Sequence, residues 1–355
     1  MKVLLKMTAG MILSAFGLWL LQRILMPKYL SEAVDGRLIA EYYTSAKRHD
    51  VVFVGDCEVY ESISPVRLWR NYGISSYVRG SPQQLIWQSY YLMEDTLRYE
   101  TPKAFVFNVL SMKYGEPQSE AYNRLTLDGM RWSSSKANAV RASMTEEEDL
   151  ITYVFPLLRF HSRWSELKAE DFRYAFQATP PLSVNGYLMR VDVDGIGELR
   201  KGQELGDYTI SSVCWEYLDK MRILCRENGV ELILMKAPTG TPQWHWYDQW
   251  DAQVKAYAER YGLRYYNFLE VTEEIGLDYH VDTYDQGGHL NLSGAEKLSA
   301  YFGRLLMDQL GLTGHRGEVE YEKIWVPLVE RYDRIRQMQE EFLEKNGTLT
   351  GFAEF

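Results

Sequence analysis

The sequence predicts an α/β protein, a three-layer sandwich in which a parallel sheet of five strands lies between two layers of helices. Short apolar runs rich in β-branched residues alternate along the chain with segments whose apolar residues recur at helical spacing. Gly-containing turns follow several of the apolar runs, as expected where parallel strands end and helices begin. An apolar stretch at the N-terminus adds a membrane helix outside the sandwich.

The elements follow one another in a regular order. The predicted strands cover 51–55, 75–78, 104–110, 230–235 and 263–268. The predicted helices cover 66–71, 82–98, 211–228, 244–261 and 293–310. Residues from about 111 to 208 interrupt this alternation. We expect a mostly helical insertion there, because compact domains rarely contain a structureless loop of that length.

The α/β domain is expected to cover 51–312, with segments of different character on either side. Residues 31–50 are predicted to form a juxtamembrane helix, and 313–355 a C-terminal helical tail. An amphipathic helix predicted over 318–346 either packs on the domain or binds a partner, and its sequence does not choose between the two.

Residues 1–30 have the features of a signal anchor. Lys2 and Lys6 precede a run without charged residues over 7–22. Positive charges before such a run favour a cytoplasmic N-terminus, so we expect a single-pass membrane protein whose body lies outside the cytoplasm. A cleaved signal peptide is the alternative, but no small-x-small site followed by polar sequence is evident.

The composition excludes one function class and suggests another. A net charge of -10 argues against nucleic-acid binding, which needs a basic surface. Aromatic residues make up 14% of the chain, and such rings stack well on sugars. Trp244 and Trp246 are therefore candidates to line a sugar-binding groove, although rings at the start of a helix also serve as core.

Three cysteines are present, and none is expected to form a disulfide. Cys214 and Cys225 fall on one predicted helix at a distance of roughly 16 Å along its axis, too far to bridge. Cys57 is then an unpaired thiol directly after the first strand. The spacings typical of zinc sites are absent from the sequence, so we expect neither a metal nor a cofactor.

Five residues fall at the carboxyl ends of predicted strands or in the loops that follow them, where ligands bind in parallel sheets. Cys57 is a candidate nucleophile, His289 a candidate base and Asp285 a carboxylate that could orient the ring. Gly80 and Asn108 are candidates for an oxyanion hole, through a bare backbone N–H and a side-chain amide respectively. Each also has an ordinary structural alternative: a buried thiol, turn residues or a satisfied strand amide.

The Gly-Asp-Cys block at 55–57, followed by Gly80, Asn108 and the loop that carries Asp285 and His289, resembles the SGNH (GDSL-type) hydrolase superfamily. Members carry a Gly-Asp-Ser nucleophile block, a Gly and an Asn in the oxyanion hole, and a C-terminal Asp-x-x-His. The resemblance implies a flavodoxin-like sheet and acyl transfer or ester hydrolysis. It is strongest to membrane-anchored bacterial proteins, some of which act beside membrane-bound O-acyltransferases in acylating cell-wall polymers or exopolysaccharides.

The sequence departs from the superfamily pattern at two places. Cys57 replaces the Ser, and the final block reads Asp-x-x-x-His, with Gln286 where the carboxylate would fall. Asp282 is a second possible carboxylate. We expect a thioester on Cys57 that passes its acyl group to a glycan hydroxyl or to water. The alternative is a non-catalytic module of this fold that binds or scaffolds cell-envelope polymer.

Overall fold

A computed structural model describes residues 1–27, 36–197, 205–240 and 247–349. Its five parallel strands stand in the order β2-β1-β3-β4-β5. They are β1 Val51–Gly55, β2 Ser76–Gly80, β3 Ala104–Asn108, β4 Glu231–Lys236 and β5 Arg264–Asn267. The predicted five-stranded parallel sheet is confirmed, and its strand order is the flavodoxin-like one.

Helices cover both faces of this sheet because side chains alternate between the faces along each strand. Val52 and Val54 pack in one core with helices α5, α11 and α12, and Val51 and Phe53 pack in another with α4 and α14. The helices in chain order are α1 Lys2–Leu25, α2 Arg37–Glu41, α3 Cys57–Tyr60, α4 Pro65–Tyr72, α5 Ile86–Thr96, α6 Glu120–Leu127, α7 Ser134–Ser143, α8 Leu150–Val154, α9 Leu157–Phe160, α10 Ala169–Phe176, α11 Ser212–Glu227, α12 Tyr247–Tyr261, α13 Thr272–Ile275, α14 Leu292–Leu310 and α15 Val319–Asn346.

The insertion after β3 begins with five helices, α6 to α10. Leu127, Val140 and Tyr153 of the insertion share a small core with Ile39 of α2 and Leu92 of α5. Its last part then runs back to the sheet. There the Val78 N–H of β2 donates to the Asn185 carbonyl at 2.9 Å. The insertion therefore covers the free edge of β2, which would otherwise offer unpaired backbone groups to solvent.

The C-terminal helix α15 packs on the domain. The rings of Trp69 in α4 and Trp325 in α15 stack with centroids 5.0 Å apart and an interplanar angle of 7°. Trp325 is fully buried. Of the two alternatives that the sequence left open for this helix, the structure has the packed one.

Several predicted elements are shorter in the structure. The helix predicted over 82–98 is Ile86–Thr96, and the strand predicted over 263–268 is Arg264–Asn267. Within 31–50 the described part contains α2 and a 3-10 turn, Tyr42–Thr44, rather than one helix, and 31–35 lie outside the described residues. The third strand ends at Asn108, because the chain enters a 3-10 turn at Val109–Lys113. Asn108 is thus the last residue of β3.

Helix α1 has 24 residues and a mean hydropathy of 1.7 over its most apolar window, so its length and composition suffice to cross a membrane. An N-terminal signal sequence has the same properties. The last turn of α1 contacts the insertion: the Arg23 guanidinium donates to the Ala175 carbonyl, and the Arg163 guanidinium donates to the Leu25 carbonyl.

Candidate active site

The candidate site lies where the strand order reverses. Chain order and sheet order diverge at β1, which pairs with β2 on one side and β3 on the other. The loops that leave β1 and β3 therefore diverge and open a crevice at the carboxyl edge, the usual ligand position in such sheets. Cys57 follows β1 directly, and Asn108 ends β3.

The turn after β1 fixes the position of Cys57. Gly55 has φ +154, and a Cβ on it would lie 2.6 Å from the Val59 side chain and 3.0 Å from that of Asn108. Asp56 caps α3, its carboxylate accepting from the Glu58 N–H at 3.2 Å. Cys57 becomes the first residue of α3, with its side chain partly exposed in the crevice.

His289 and Asp285 meet although one more residue separates them than in the superfamily pattern. His289 Nδ1 lies 2.6 Å from Asp285 Oδ2, and the His289 backbone N–H donates to Asp285 Oδ1 at 2.7 Å. Gln286 and Gly287 both have left-handed backbone, φ 58 and 87, which curls the loop tightly enough to accommodate the extra residue. Since Nδ1 is engaged by the carboxylate, Nε2 is left for the thiol.

Neighbouring segments hold this loop in place. The Gly240 N–H after β4 donates to the Gly287 carbonyl at 2.7 Å. The Gln286 N–H donates to the carbonyl of Asp194, in the last part of the insertion, also at 2.7 Å. The insertion thus supports the candidate base as well as the edge of the sheet.

A second carboxylate, Glu61, faces the histidine, and sequence reasoning missed it. Glu61 Oε2 lies 3.6 Å from His289 Nδ1 and accepts from the Tyr284 hydroxyl at 2.5 Å. Burial raises the pKa of Glu61, while His289 and the Tyr284 hydrogen bond lower it. Glu61 lies four residues after Cys57, one helical turn further along the chain, which is the signal that could have found it.

The two carboxylates make the His289 ring strongly basic. Burial lowers the pKa of the imidazole, but the charge of Glu61 and hydrogen bonds with Asp285 and Cys57 outweigh it and raise that pKa to about 12. Burial also raises the pKa of the Cys57 thiol, to about 11, although the His289 ring offsets part of this effect. At neutral pH the resting pair is therefore a thiol beside an imidazolium.

Asn108 belongs to a buried polar network beneath the nucleophile. Its amide donates to Asp56 Oδ1 at 3.1 Å and to Glu58 Oε2 at 3.0 Å, and its Oδ1 accepts from the Ala237 N–H at 3.1 Å. Both amide hydrogens are thus engaged, and an oxyanion would have to compete for them. The predicted oxyanion role of Asn108 stays a prediction, and its observed role is to join β3 to α3 and to the end of β4.

Lys236 supplies the cation of this network. Its Nζ donates to both Glu58 oxygens, at 2.7 and 2.8 Å, and to the Ala237 carbonyl at 2.7 Å. Burial and the neighbouring Glu58 raise the pKa of Asp56 to about 7, against the influence of the nearby lysines and Asn108. A lysine at the end of a buried strand is a sequence signal for such a network, because a buried cation needs a partner.

The remaining predicted site residues are Gly80, Asp282, Trp244 and Trp246. Gly80 ends β2 and pairs with Gly55, and a Cβ on it would lie 3.1 Å from the Gly55 carbonyl oxygen. Asp282, the alternative carboxylate, is bonded elsewhere: it accepts from Lys297 Nζ at 2.6 Å and from the Asp278 N–H at 2.8 Å. Trp244 and Trp246 lie outside the described residues.

Two further features bear on what the site could bind. Among the described residues, no group of three or more His, Cys, Asp or Glu side chains has an arrangement that would hold a metal ion. A groove of about 580 Å³ lies between the 281–293 segment and α15, lined by Val281, Leu292 and Arg336 among others. Neither Cys57 nor His289 lines it, so the groove is separate from the candidate site.

Comparisons with known proteins add the following. No protein-family model matches the chain, and no curated protein matches it either. Among solved structures, a candidate acylhydrolase from Bacteroides fragilis matches with 12% identity and a TM-score of 0.39, covering 77% of this chain and 96% of that one. A GDSL-like lipase from Bacteroides thetaiotaomicron matches with 11% identity and a TM-score of 0.38, over the same shares of the two chains. At this level of likeness neither protein's activity transfers to this chain.

Proposed function

We propose that the chain is an acyl-transfer enzyme in which Cys57 is the nucleophile, His289 the proton carrier and Asp285 the residue that orients the ring. The observation that carries this proposal is the geometry at the carboxyl edge of the sheet. The partly exposed Cys57 thiol interacts with the His289 ring, whose Nδ1 is held 2.6 Å from a carboxylate. That is the arrangement that cysteine-based acyl transfer requires.

The proposed reaction starts from the thiolate, after the resting thiol has lost its proton to water. The thiolate attacks the carbonyl carbon of an acyl donor, a C–S bond forms, and the carbonyl electron pair moves to oxygen. When that pair returns, the bond to the leaving group breaks and the leaving oxygen takes a proton from the His289 imidazolium. The neutral ring then accepts a proton from the incoming hydroxyl, which attacks the thioester and expels the thiolate.

The resemblance and α1 support a proposal for the substrate and for the location. We propose a cell-envelope glycan as the acceptor, with the acyl donor presented by a membrane-bound O-acyltransferase. The N-terminal helix would anchor the body outside the cytoplasm. The many aromatic residues suit a glycan substrate, and the acidic net charge of -10 speaks against a nucleic-acid substrate.

A second candidate function, a non-catalytic module that binds envelope polymer, is favoured by two observations. The pKa of the Cys57 thiol is raised to about 11 by burial, so little thiolate is present at neutral pH. The Asn108 amide is already engaged by Asp56 and Glu58. Both features are expected of a protein that has this fold but does not catalyse acyl transfer.

The two functions are separated by acyl capture on the purified full chain. After incubation with an activated acetyl ester, mass spectrometry should find an acetyl group at Cys57 that hydroxylamine removes, as expected for a thioester. Cys57→Ala should abolish it, His289→Ala should slow it, and His161→Ala, a change at an exposed histidine, should leave it unchanged. If no acetyl group forms at Cys57 at any pH from neutral into the alkaline range, the acyl-transfer proposal is wrong and the binding module is the function.

In cells that carry the protein, Cys57→Ala should lower the acyl content of the envelope polymer, measured as acid released by mild alkali. Unchanged polymer acylation in that variant, at equal protein level, would contradict the assignment of Cys57 as nucleophile. His161→Ala serves as the matched control for expression and folding.

A further inference from the structure

The insertion carries an unusual exposed apolar surface on α8, α9, α10 and the turns between them. We call this surface the insertion face. It consists of Ile151, Phe155, Leu158, Trp164, Phe172 and Phe176. Trp164 is 73% exposed and Phe176 67% exposed, although large aromatic side chains are mostly buried in folded proteins. Large exposed apolar side chains concentrated in one segment of the chain indicate an interaction surface.

The apolar residues of the insertion face are distributed over three consecutive helices and the turns between them. Phe172 and Phe176 are four apart on α10, so they lie on one side of that helix. Ile151 lies on α8, Phe155 directly follows α8, and Leu158 lies on α9. Other side chains of this segment are buried or paired within the protein. Tyr153 and Ala175 are buried, and Arg163 forms an ion pair with Asp171 at 3.1 Å.

The insertion face lies next to the end of α1. Ala175, between the two phenylalanines of α10, accepts from the Arg23 guanidinium in the last turn of α1. Arg163, beside Trp164, donates to the carbonyl of Leu25, where α1 ends. One turn earlier, Trp19 is 47% exposed and has the Arg23 guanidinium over its ring. The apolar surface of α1 is therefore continuous with that of α10.

We propose that the insertion face rests on the lipid bilayer that α1 enters. A helix of 24 residues is about 36 Å long, so its end reaches the membrane surface after crossing the hydrocarbon core. Helices that lie on a bilayer expose Trp, Phe and Leu towards the acyl chains and keep basic residues beside them. Residues 150–176 contain four Lys or Arg and three Asp or Glu, a net charge of +1 in a chain of net charge -10.

A second attachment has a mechanical consequence. A single helix followed by a linker would let the body tumble above the membrane. Two contacts, α1 and the insertion face, fix the orientation of the body and hence the direction in which the crevice at Cys57 opens. This inference rests on α1 as a membrane helix and not on the chemistry at Cys57, so failure of the acyl-capture experiment would leave it untouched.

The test is the depth of a fluorescent label on the full chain, reconstituted into phosphatidylethanolamine and phosphatidylglycerol vesicles. A thiol-reactive NBD label is placed at Phe172→Cys in a Cys57→Ser background, where the remaining cysteines, Cys214 and Cys225, are buried. The matched control is Glu259→Cys, an exposed position on α12 beside β5, the sheet edge opposite to β2. Circular dichroism checks that both variants keep the native fold, and flotation with the vesicles checks that α1 is inserted.

Nitroxide-bearing lipids should quench the label at 172 at least roughly twofold more than the label at 259, with an emission maximum shifted to the blue. Equal quenching at the two positions would overturn the proposal, as would a chain that does not float with the vesicles. A label at 172 that stays in water until a membrane protein is reconstituted beside it would assign the insertion face to a protein partner and would also overturn it.

Discussion

At the scale of single residues, Cys57 is subject to two opposing influences. Burial disfavours a charge on sulfur, and the His289 cation favours it. The balance leaves the pKa of the thiol raised, to about 11. Because the thiolate is the nucleophile, the reactivity of Cys57 should report this balance directly.

We predict that alkylation of Cys57 by iodoacetamide rises roughly tenfold for each unit of pH between neutrality and about 10, as the thiolate fraction grows. His289→Ala removes the interaction that lowers the thiol pKa, so its rate should be lower at every pH in that range. His161→Ala should follow the wild-type curve. Rapid labelling at neutral pH that is independent of His289 would contradict the assigned pairing.

Glu61 provides a second prediction at this scale. Glu61→Gln keeps the size of the side chain but removes the charge 3.6 Å from His289 Nδ1. The pKa of His289 should then fall by about one pH unit or more, since an opposite charge at this distance favours the protonated ring. An NMR titration of the His289 ring protons measures the change. Glu274→Gln, at an exposed position, is the control, and an unchanged pKa in the Glu61 variant would exclude Glu61 as a determinant of the histidine's charge.

At the scale of elements, the Lys236–Glu58 ion pair joins the end of β4 to α3, and both side chains are almost fully buried. Removing one partner of a buried pair leaves an uncompensated charge. Lys236→Met should therefore lower the free energy of unfolding by about 3–5 kcal/mol, measured by urea denaturation.

The second substitution Glu58→Gln in the same chain should restore a large part of that loss, because it removes the orphaned charge. Lys255→Met breaks the ion pairs of a partly exposed lysine with Asp251 and Glu270, and should cost less than about 1 kcal/mol. If the Lys236 and Lys255 variants lose similar stability, the buried network does not brace the turn that carries Cys57.

The elements also show what the sequence could and could not determine. Apolar runs and turn residues were enough to place five strands, the thiol after β1 and the Asp285–His289 loop. Periodicity gives no information on where a side chain makes its hydrogen bonds, so it could not reveal that Asn108 is engaged by Asp56 and Glu58. Asp285 and His289 could be named as partners, but the left-handed backbone at Gln286 that brings them together depends on contacts with Asp194 and Gly240 from distant segments.

At the scale of the whole molecule, chemical labelling of cells can show on which side of the membrane the body of the protein lies. Glu259→Cys in a Cys57→Ser background should react with a membrane-impermeant maleimide equally in intact and in lysed cells, if the body lies outside the cytoplasm. Lys2→Cys, on the other end of α1, should react only after lysis. Labelling at 259 that requires lysis would place the body inside. Loss of the Lys2→Cys signal from the mature protein would show that the N-terminal helix is cleaved.

The pairing of β3 with β4 has a consequence for the order of folding. Asn108 is in register with Met235, so the centre of the sheet is closed only after the whole insertion has been synthesised. Contacts between residues so distant in sequence form slowly, because the long loop must be closed first. Until then Glu58 lacks Lys236, its partner in the buried ion pair. A nascent or truncated chain that ends before β4 can form β1 to β3 but not a finished crevice, and the site around Cys57 matures as one of the last events of folding.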